Sequence, residues 1–87
     1  MSTLRLPDKE YAALCKAVLE RDHWKCRSCQ FRGNLAAHHI VYRSHQGEDT
    51  AENLITLCNQ CHEAVHRSDL EITKEMKLIR HNGWKPC

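Results

Sequence analysis

Two Cys-x-x-Cys pairs constrain the fold of this chain more than any other feature of its sequence. Cys26 and Cys29 form the first pair, Cys58 and Cys61 form the second, and 28 residues lie between the pairs. Two intervening residues let two thiolates converge on one tetrahedral ion, and two such pairs complete a four-cysteine zinc site. A disulfide within either pair would close a tight, strained loop and connect nothing distant. The spacing therefore predicts a structural zinc ion.

The length of the chain explains why it would need such a site. Its 87 residues predict a single domain over 1–87, and a domain of this size buries only about 60% of its unfolded surface. Small domains of this kind usually depend on a metal or on disulfides. Zinc thiolates and two further cysteines, Cys15 and Cys87, are typical of a reducing compartment, so we expect a cytoplasmic location. The N-terminal segment has charges throughout, which predicts neither a signal peptide nor a membrane span.

The charges are unevenly distributed along the chain. Residues 1–32 carry seven Lys and Arg against four Asp and Glu, and residues 70–87 carry four against two. Residues 33–69 carry two basic residues against five acidic ones, and the net charge of the whole chain is only +2. A basic frame around a histidine-rich centre is compatible with a phosphate-bearing partner. Ordinary solvated charge explains the same tally equally well.

Three helices and two strands are predicted. In chain order they are an N-terminal helix over 7–22, a strand over 35–42, a strand over 54–57, a helix from about residue 59, and a C-terminal helix over 73–82. Pro7 and Asp8 suit the first turn of the first helix. The polar, glycine-containing segment 43–53 is predicted to be a loop between the strands.

Three histidines have spacings that suggest a second metal site. His62 and His66 are four residues apart on the helix that follows the second cysteine pair, so both project from one face. Cys61 precedes His62 directly, so a zinc ion would fix the start of that helix. With His38 from the first strand, three imidazoles could converge on one ion and leave coordination positions open for substrate and water.

The string HHIVYRSHQGEDTAENLITLCNQCHEAVH, with Cys26-x-x-Cys29 upstream, resembles the motif of the HNH nucleases in their zinc-bracketed branch. His38 and His39 match the opening pair, Asn53 the asparagine and His62 the last histidine. The resemblance covers about residues 26–66. It implies an α+β fold with a ββα-metal (His-Me finger) core, in which two antiparallel strands and the loop between them pack on a helix. The predicted end helices would flank this core.

The resemblance also implies a role for each matching residue. His39 would be the general base that deprotonates the attacking water, and Asn53 would orient that base through its side-chain carbonyl. His38, His62 and His66 would bind the catalytic metal. Arg43 and His45 begin the loop and could contact phosphate, although an exposed polar loop explains them equally well.

The activity implied by the resemblance is metal-dependent DNA endonuclease cleavage that leaves a 5′-phosphate and a 3′-hydroxyl. The family favours Mg²⁺ or Mn²⁺ as catalytic metal, while imidazole ligands make Ni²⁺ or Co²⁺ plausible as well. Double-stranded DNA is the expected partner. A domain this small has little room for base readout, so a second protein could supply specificity. No membrane partner is expected. The sequence does not indicate whether the chain is a monomer or an oligomer.

Two other functional classes compete with the nuclease. A zinc-stabilised nucleic-acid-binding or adaptor module without catalysis would need the four cysteines but not His39, Asn53 and His62 together. A zinc-dependent deaminase would need His-x-Glu and Pro-Cys-x-x-Cys. The chain has Val41 where that glutamate would lie and Leu57 where that proline would lie, so the deaminase is excluded.

Overall fold

The computed structural model describes residues 5–85, and Cys87 lies outside this range. Helix α1, Asp8–Arg21, follows Pro7 and carries Asp8 and Glu10 in its first turn, where acidic side chains stabilise the positive end of the helix dipole. The helix predicted over 7–22 is therefore confirmed to within one residue at each end. Val18 is buried on the side of α1 that packs against the strands.

The two predicted strands form an antiparallel pair. Strand β1 is Leu35–His39 and strand β2 is Leu54–Cys58, with Leu35 opposite Cys58 and His39 opposite Leu54. All of β2 is buried, because α1 and the helix that directly follows β2 both contact it. A strand covered in this way is expected to be mostly apolar, as Leu-Ile-Thr-Leu is, and Thr56 is its one polar side chain. Strand β1 ends three residues before the predicted limit of 42.

Helix α2, Asn59–His66, starts directly after β2, as predicted. It buries Cys61 and Ala64 against β2, while His62 and His66 lie on its more accessible side. The order β1, loop, β2, α2 matches the ββα arrangement expected from the sequence, and the fold is a small α+β structure. None of the helices within residues 5–85 is long and apolar enough to cross a membrane.

The predicted C-terminal helix over 73–82 is wrong. This segment contributes to a second antiparallel pair, in which β3, Leu70–Ile72, pairs with β4, Leu78–Arg80. Leu70 is buried and Leu78 packs against the core, whereas Glu71 and Ile79 are exposed. This alternation has the period of two that a strand requires, and strands of three residues are too short to reveal it reliably.

A buried carboxylate, Asp22, connects α1 to the first cysteine pair and to β2. Its oxygens accept hydrogen bonds from Arg21, from Arg27 at 2.7 Å and from the backbone N–H of Thr56 at 3.1 Å. Burial alone would raise the pKa of Asp22, but these donors outweigh burial and lower its pKa to about 2. Asp22 is therefore a charged side chain within the core whose charge is compensated on several sides.

We expect Asp22→Ala to lower the free energy of unfolding by about 3 kcal/mol, because the Arg27 guanidinium and the buried Thr56 N–H lose their acceptor and Arg21 keeps only its bonds to the Ala51 and Leu54 carbonyls. The folded-state pKa lies below the unfolded one, so this contribution is present above about pH 4 and is lost as the pH falls through about 2. Urea unfolding at pH 7 measures the effect. Glu20→Ala, an exposed change on the same helix, should alter stability by less than about 0.5 kcal/mol. Equal unfolding midpoints for the two variants would contradict this assignment.

Candidate active site

The four cysteines of the two Cys-x-x-Cys pairs lie together at one end of the β1–β2 pair. Their sulfur atoms are all within 4.8 Å of one another, and the Cys29 and Cys58 sulfurs are 3.6 Å apart. A tetrahedral zinc site with Zn–S bonds of about 2.3 Å has S–S edges of about 3.8 Å, whereas a disulfide bond is about 2.05 Å long. The cluster therefore fits a metal ion such as zinc, and all four thiols are free of disulfides.

Electrostatics in the cluster also suit a cation. Burial opposes ionisation of Cys58, but the backbone N–H of Cys61 and the neighbouring thiols lower the pKa of Cys58 to about 7. Burial raises the pKa of Cys61 well above its ordinary value. Four thiolates could share this small volume only if a cation compensated their charge, because like charges at this separation repel strongly in a buried site.

Three imidazoles form a second group at the other end of β1. The ring centroids of His38 and His62 are 4.3 Å apart, those of His62 and His66 are 4.7 Å apart, and those of His38 and His66 are 5.9 Å apart. The Nε2 atoms of His62 and His66 approach to 2.9 Å. The structure thus brings together the three residues predicted to bind the catalytic metal.

The histidine group is more open than the cysteine cluster. Among residues 5–85, the four cysteines are the set whose potential ligand atoms all lie within 4.8 Å of one another, so the three imidazoles are spaced more widely than that. His38 nevertheless has a buried Nε2 atom without a hydrogen-bond partner. Buried polar atoms are almost always paired, so an unpartnered nitrogen on a ring that lies beside two other imidazoles fits a metal ligand. Metal binding by this group remains a prediction.

The protonation state of these histidines favours metal binding. Burial, with the nearby charges of His62 and His66, lowers the pKa of His38 to about 4. Burial and the proximity of His66 also lower the pKa of His62. Both rings are therefore neutral at pH 7, and a neutral imidazole has the lone pair that a metal ion requires.

His39 points away from this group, as expected for neighbouring residues of a strand. Its ring stacks on that of Tyr11 from α1, with centroids 5.9 Å apart and an angle of 9° between the planes. Its Nε2 atom is 2.9 Å from the Oδ1 atom of Asp49. Because a carboxylate only accepts hydrogen bonds, Nε2 carries the hydrogen and the lone pair of the neutral ring lies on Nδ1.

The two histidines of the doublet nevertheless border the same space. A cavity of about 310 Å³ is lined by seven residues: Ala37, His38, His39, Tyr42, Arg43, His62 and His66. His38 and His39 also line a larger neighbouring cavity of about 700 Å³, which extends to the β3–β4 hairpin. A bound phosphate group could therefore contact the predicted metal ligands and the predicted base at once.

Asp49 is the site residue that the sequence analysis missed. Its side chain is fully buried and accepts hydrogen bonds from the Leu6 backbone N–H, from Arg43 and from His39. Burial would raise its pKa, but these donors hold the pKa of the carboxyl far below its usual range. Asp49 lies in the polar segment 43–53, and nothing in that composition distinguishes it from the other acidic residues there.

Two predicted contacts have different partners in the structure. The Arg43 guanidinium forms two hydrogen bonds with Asp49 and lies 4.6 Å from the centre of the Tyr11 ring. Arg43 therefore stabilises the Asp49 carboxylate. This contact explains the position of the Arg43 side chain without a phosphate contact. His45 lies exposed in a short 3₁₀ turn, Arg43–His45, and stacks on Tyr42. Phosphate binding by His45 remains a prediction.

Asn53 does not orient His39 through its carbonyl oxygen, and that prediction is corrected. The Asn53 Oδ1 atom accepts a hydrogen bond from the Val41 N–H at 2.8 Å, and its Nδ2 atom donates to the carbonyls of Val41 and Glu48. A side-chain amide can pair with both backbone groups of one residue, so Asn53 holds the loop after β1 in place. The side chain that contacts His39 is Asp49.

Comparison with known proteins agrees with this arrangement. Residues 26–68 match the model of the HNH endonuclease family, a segment that includes both cysteine pairs and all the predicted catalytic residues. The chain is also similar to Anaredoxin of Nostoc sp. (strain PCC 7120 / SAG 25.82 / UTEX 2576), with 28% identity over 64 residues, which are 72% of this chain and 84% of that protein. No solved structure matches the chain.

Proposed function

We propose that this chain, which belongs to the HNH endonuclease family through residues 26–68, is a metal-dependent DNA endonuclease. One observation carries the proposal. One cavity is bordered by both histidines of the doublet. His38 is neutral and lies beside His62 and His66, whereas His39 is hydrogen-bonded to Asp49. Phosphodiester hydrolysis needs positive charge on one side of the phosphate and a base for water on the other.

His38, His62 and His66 would hold the catalytic metal. A divalent ion bound there would supply positive charge to the phosphate oxygens as negative charge develops in the transition state. We expect Mg²⁺ or Mn²⁺ to support the reaction, and Ni²⁺ or Co²⁺ to be accepted because imidazole nitrogen suits these ions. The four-cysteine cluster would hold zinc with a structural role, since all its ligands are protein thiols and no coordination position is open.

His39 would accept the proton of the attacking water at Nδ1. Its Nε2–H is fixed by Asp49, which sets the orientation of the ring and leaves Nδ1 as the basic atom. Stacking on Tyr11 restrains the ring further. Attack of the water opposite the 3′ oxygen would break the P–O3′ bond, and the leaving 3′ oxygen would take a proton from solvent water. The products would then carry a 5′-phosphate and a 3′-hydroxyl.

Asp49 is a positioning residue in this scheme, and it provides a test that differs from removal of the base. We expect Asp49→Asn to lower kcat by about 10- to 100-fold, the usual effect of losing an orienting carboxylate behind a functional imidazole. KM should change little, because the Asp49 side chain is fully buried and therefore not accessible to DNA. Initial rates of plasmid nicking over a range of DNA concentrations separate the two constants.

The matched control for this variant is Glu52→Gln, an exposed acidic residue of the same loop. It should cleave at the wild-type rate. A general loss of folding would lower the thermal midpoint and the active fraction together, so the midpoint of each variant is measured in parallel. A fully folded Asp49→Asn variant with the wild-type kcat would remove Asp49 from the catalytic scheme.

The proposed function is tested by incubating zinc-loaded protein with supercoiled plasmid. We expect conversion to nicked or linear DNA with added Mg²⁺ or Mn²⁺, and none without a divalent ion or with excess EDTA. Binding of the plasmid without cleavage under any of these ions would reject the endonuclease in favour of a catalytically inactive nucleic-acid-binding module.

A further inference from the structure

The segment around the first cysteine pair carries two exposed aromatic side chains and three cations, and neither the zinc cluster nor the catalytic scheme uses it. We call it the knuckle face and define it by five residues: Trp24, Lys25, Arg27, Phe31 and Arg32. Trp24 is 46% exposed and Phe31 is 52% exposed. They are two of the three large apolar side chains that are exposed within residues 5–85, and the third is Ile79 of β4.

The backbone holds both aromatic residues in their exposed positions. His23 and Trp24 have φ angles of 59° and 54°, a left-handed conformation that costs a residue other than glycine about 1–2 kcal/mol. The Phe31 carbonyl accepts a hydrogen bond from the Cys26 N–H at 2.9 Å, which brings its backbone next to residues 25–26. The Phe31 ring lies over Gly33, where a Cβ atom would come within 2.8 Å of it.

The charges around these rings suit a polyanion. Residues 23–34 contain three cationic side chains, Lys25, Arg27 and Arg32, and no acidic residue. Arg27 is anchored by Asp22 and still has 38% of its side chain exposed. An apolar protein partner would need the two rings but not the cations. Exposed rings combined with cations are the arrangement that binds single-stranded nucleic acid, because bases stack on the rings while phosphates pair with the cations.

The position of the knuckle face relates it to the catalytic histidines. Leu35 and Cys58 are paired at the cysteine end of the strands, and His39 and Leu54 are paired at the other end. Four residues of strand span about 13 Å, which equals about four steps of duplex rise. A DNA strand whose unpaired bases are bound at the knuckle face would therefore have those bases a few nucleotides from the phosphate that is cleaved.

We propose that the knuckle face binds single-stranded DNA and directs this nuclease to DNA with unpaired bases beside the cleavage site. The proposal rests on the proposed function for the cleavage step, but the binding step stands independently of it. Stacking fixes the substrate class: DNA with single-stranded regions, in preference to an uninterrupted duplex.

Binding is measured with the zinc-loaded full chain in a His39→Ala background without added Mg²⁺ or Mn²⁺, so that cleavage does not interfere. The probes are a fluorescein-labelled 12-mer of thymidine and a blunt duplex of equal length. We expect Trp24→Ala to weaken binding of the 12-mer about 10-fold, and Trp24→Ala with Phe31→Ala at least 50-fold, since stacking is worth about 1–3 kcal/mol per base. Duplex binding should change less than threefold.

A second readout reports on Trp24 itself. In a Trp84→Phe background Trp24 is the remaining tryptophan, and its fluorescence should be quenched as the 12-mer binds. Lys25→Gln with Arg32→Gln should lower the slope of log affinity against log salt by about 1.4, the value for two phosphate contacts on a single strand. Ile79→Ala, the matched exposed apolar residue, should bind within twofold of the parent.

Two results would overturn the proposal: 12-mer affinity that is unchanged in the double aromatic variant, or equal losses for the 12-mer and the duplex. Failure of the knuckle face is distinguishable from failure of the proposed function. Metal-dependent plasmid cleavage with unaltered 12-mer binding in the double variant rejects only the knuckle face. Aromatic-dependent 12-mer binding without any cleavage by the wild-type chain rejects only the endonuclease.

Discussion

His39→Ala is expected to lower the rate of metal-dependent plasmid nicking by about 10²- to 10⁴-fold, the range that general base catalysis contributes. His39 is the imidazole whose Nε2 is held by Asp49 and whose other nitrogen remains available for a proton. The three histidines predicted to bind the catalytic metal and the cysteine cluster do not depend on its side chain. The measurement is the initial nicking rate at saturating Mn²⁺ and DNA.

The comparison for this variant is His23→Ala, which removes an exposed imidazole at the end of α1. This variant should nick DNA at the wild-type rate. The free energy of unfolding of both variants should lie within about 1 kcal/mol of the wild-type value, because neither removes a fully buried side chain. Equal nicking by His39→Ala and wild type would show that another group accepts the proton.

Cys58→Ala is expected to unfold the protein. Cys58 is the last residue of β2, directly before α2, and its sulfur lies 3.6 Å from that of Cys29. Structural zinc sites contribute about 10–16 kcal/mol of apparent binding free energy, as much as or more than the net stability of a typical domain. We expect less than about 0.2 zinc ions per chain and no cooperative thermal transition by circular dichroism.

The matched control is Cys15→Ala, which removes a half-buried thiol from α1 outside the cluster. It should retain about one zinc ion per chain and a cooperative transition, with a loss of about 1 kcal/mol at most. A Cys58→Ala variant that melts cooperatively at the wild-type temperature would mean that the metal does not stabilise the fold.

The features predicted correctly from the sequence are those set by local spacing. Two residues between cysteines and three between His62 and His66 fix which side chains lie close together, whatever the rest of the chain does. The strand predicted over 54–57 follows from a short, mostly apolar run of ordinary strand length. The spacing was sufficient for the cysteine cluster, whereas the ββα core was predicted from the resemblance to the HNH nucleases.

The incorrect or missed predictions concern contacts that depend on the three-dimensional path of the chain. The hairpin of β3 and β4 has strands of three residues, and over such a length a period of two cannot be told from a helical period. Asp49 reaches His39 because the loop folds back over ten residues, and loop composition does not encode that path. Asn53 was assigned from a family pattern, which identifies a residue type but not the hydrogen bonds that it forms here.

The doublet of His38 and His39 is explained by these contacts. On a strand the two rings point in opposite directions, and the structure gives them different surroundings: buried imidazoles for His38, and a carboxylate with a tyrosine ring for His39. Both rings still border one cavity. Neighbouring positions thus allow two chemical roles at one phosphate while each ring keeps its own set of contacts.

The most direct test of the central claim uses the ends of the cleaved strands. Wild-type protein is incubated with supercoiled plasmid and Mn²⁺, the nicked product is purified, and DNA ligase is added. We predict nicks that form only with the divalent ion and that ligase seals without further treatment, because attack of water with loss of the 3′ oxygen leaves a 5′-phosphate beside a 3′-hydroxyl. Absence of nicking with Mn²⁺ and with Mg²⁺, or nicks that ligase cannot seal, would contradict the account.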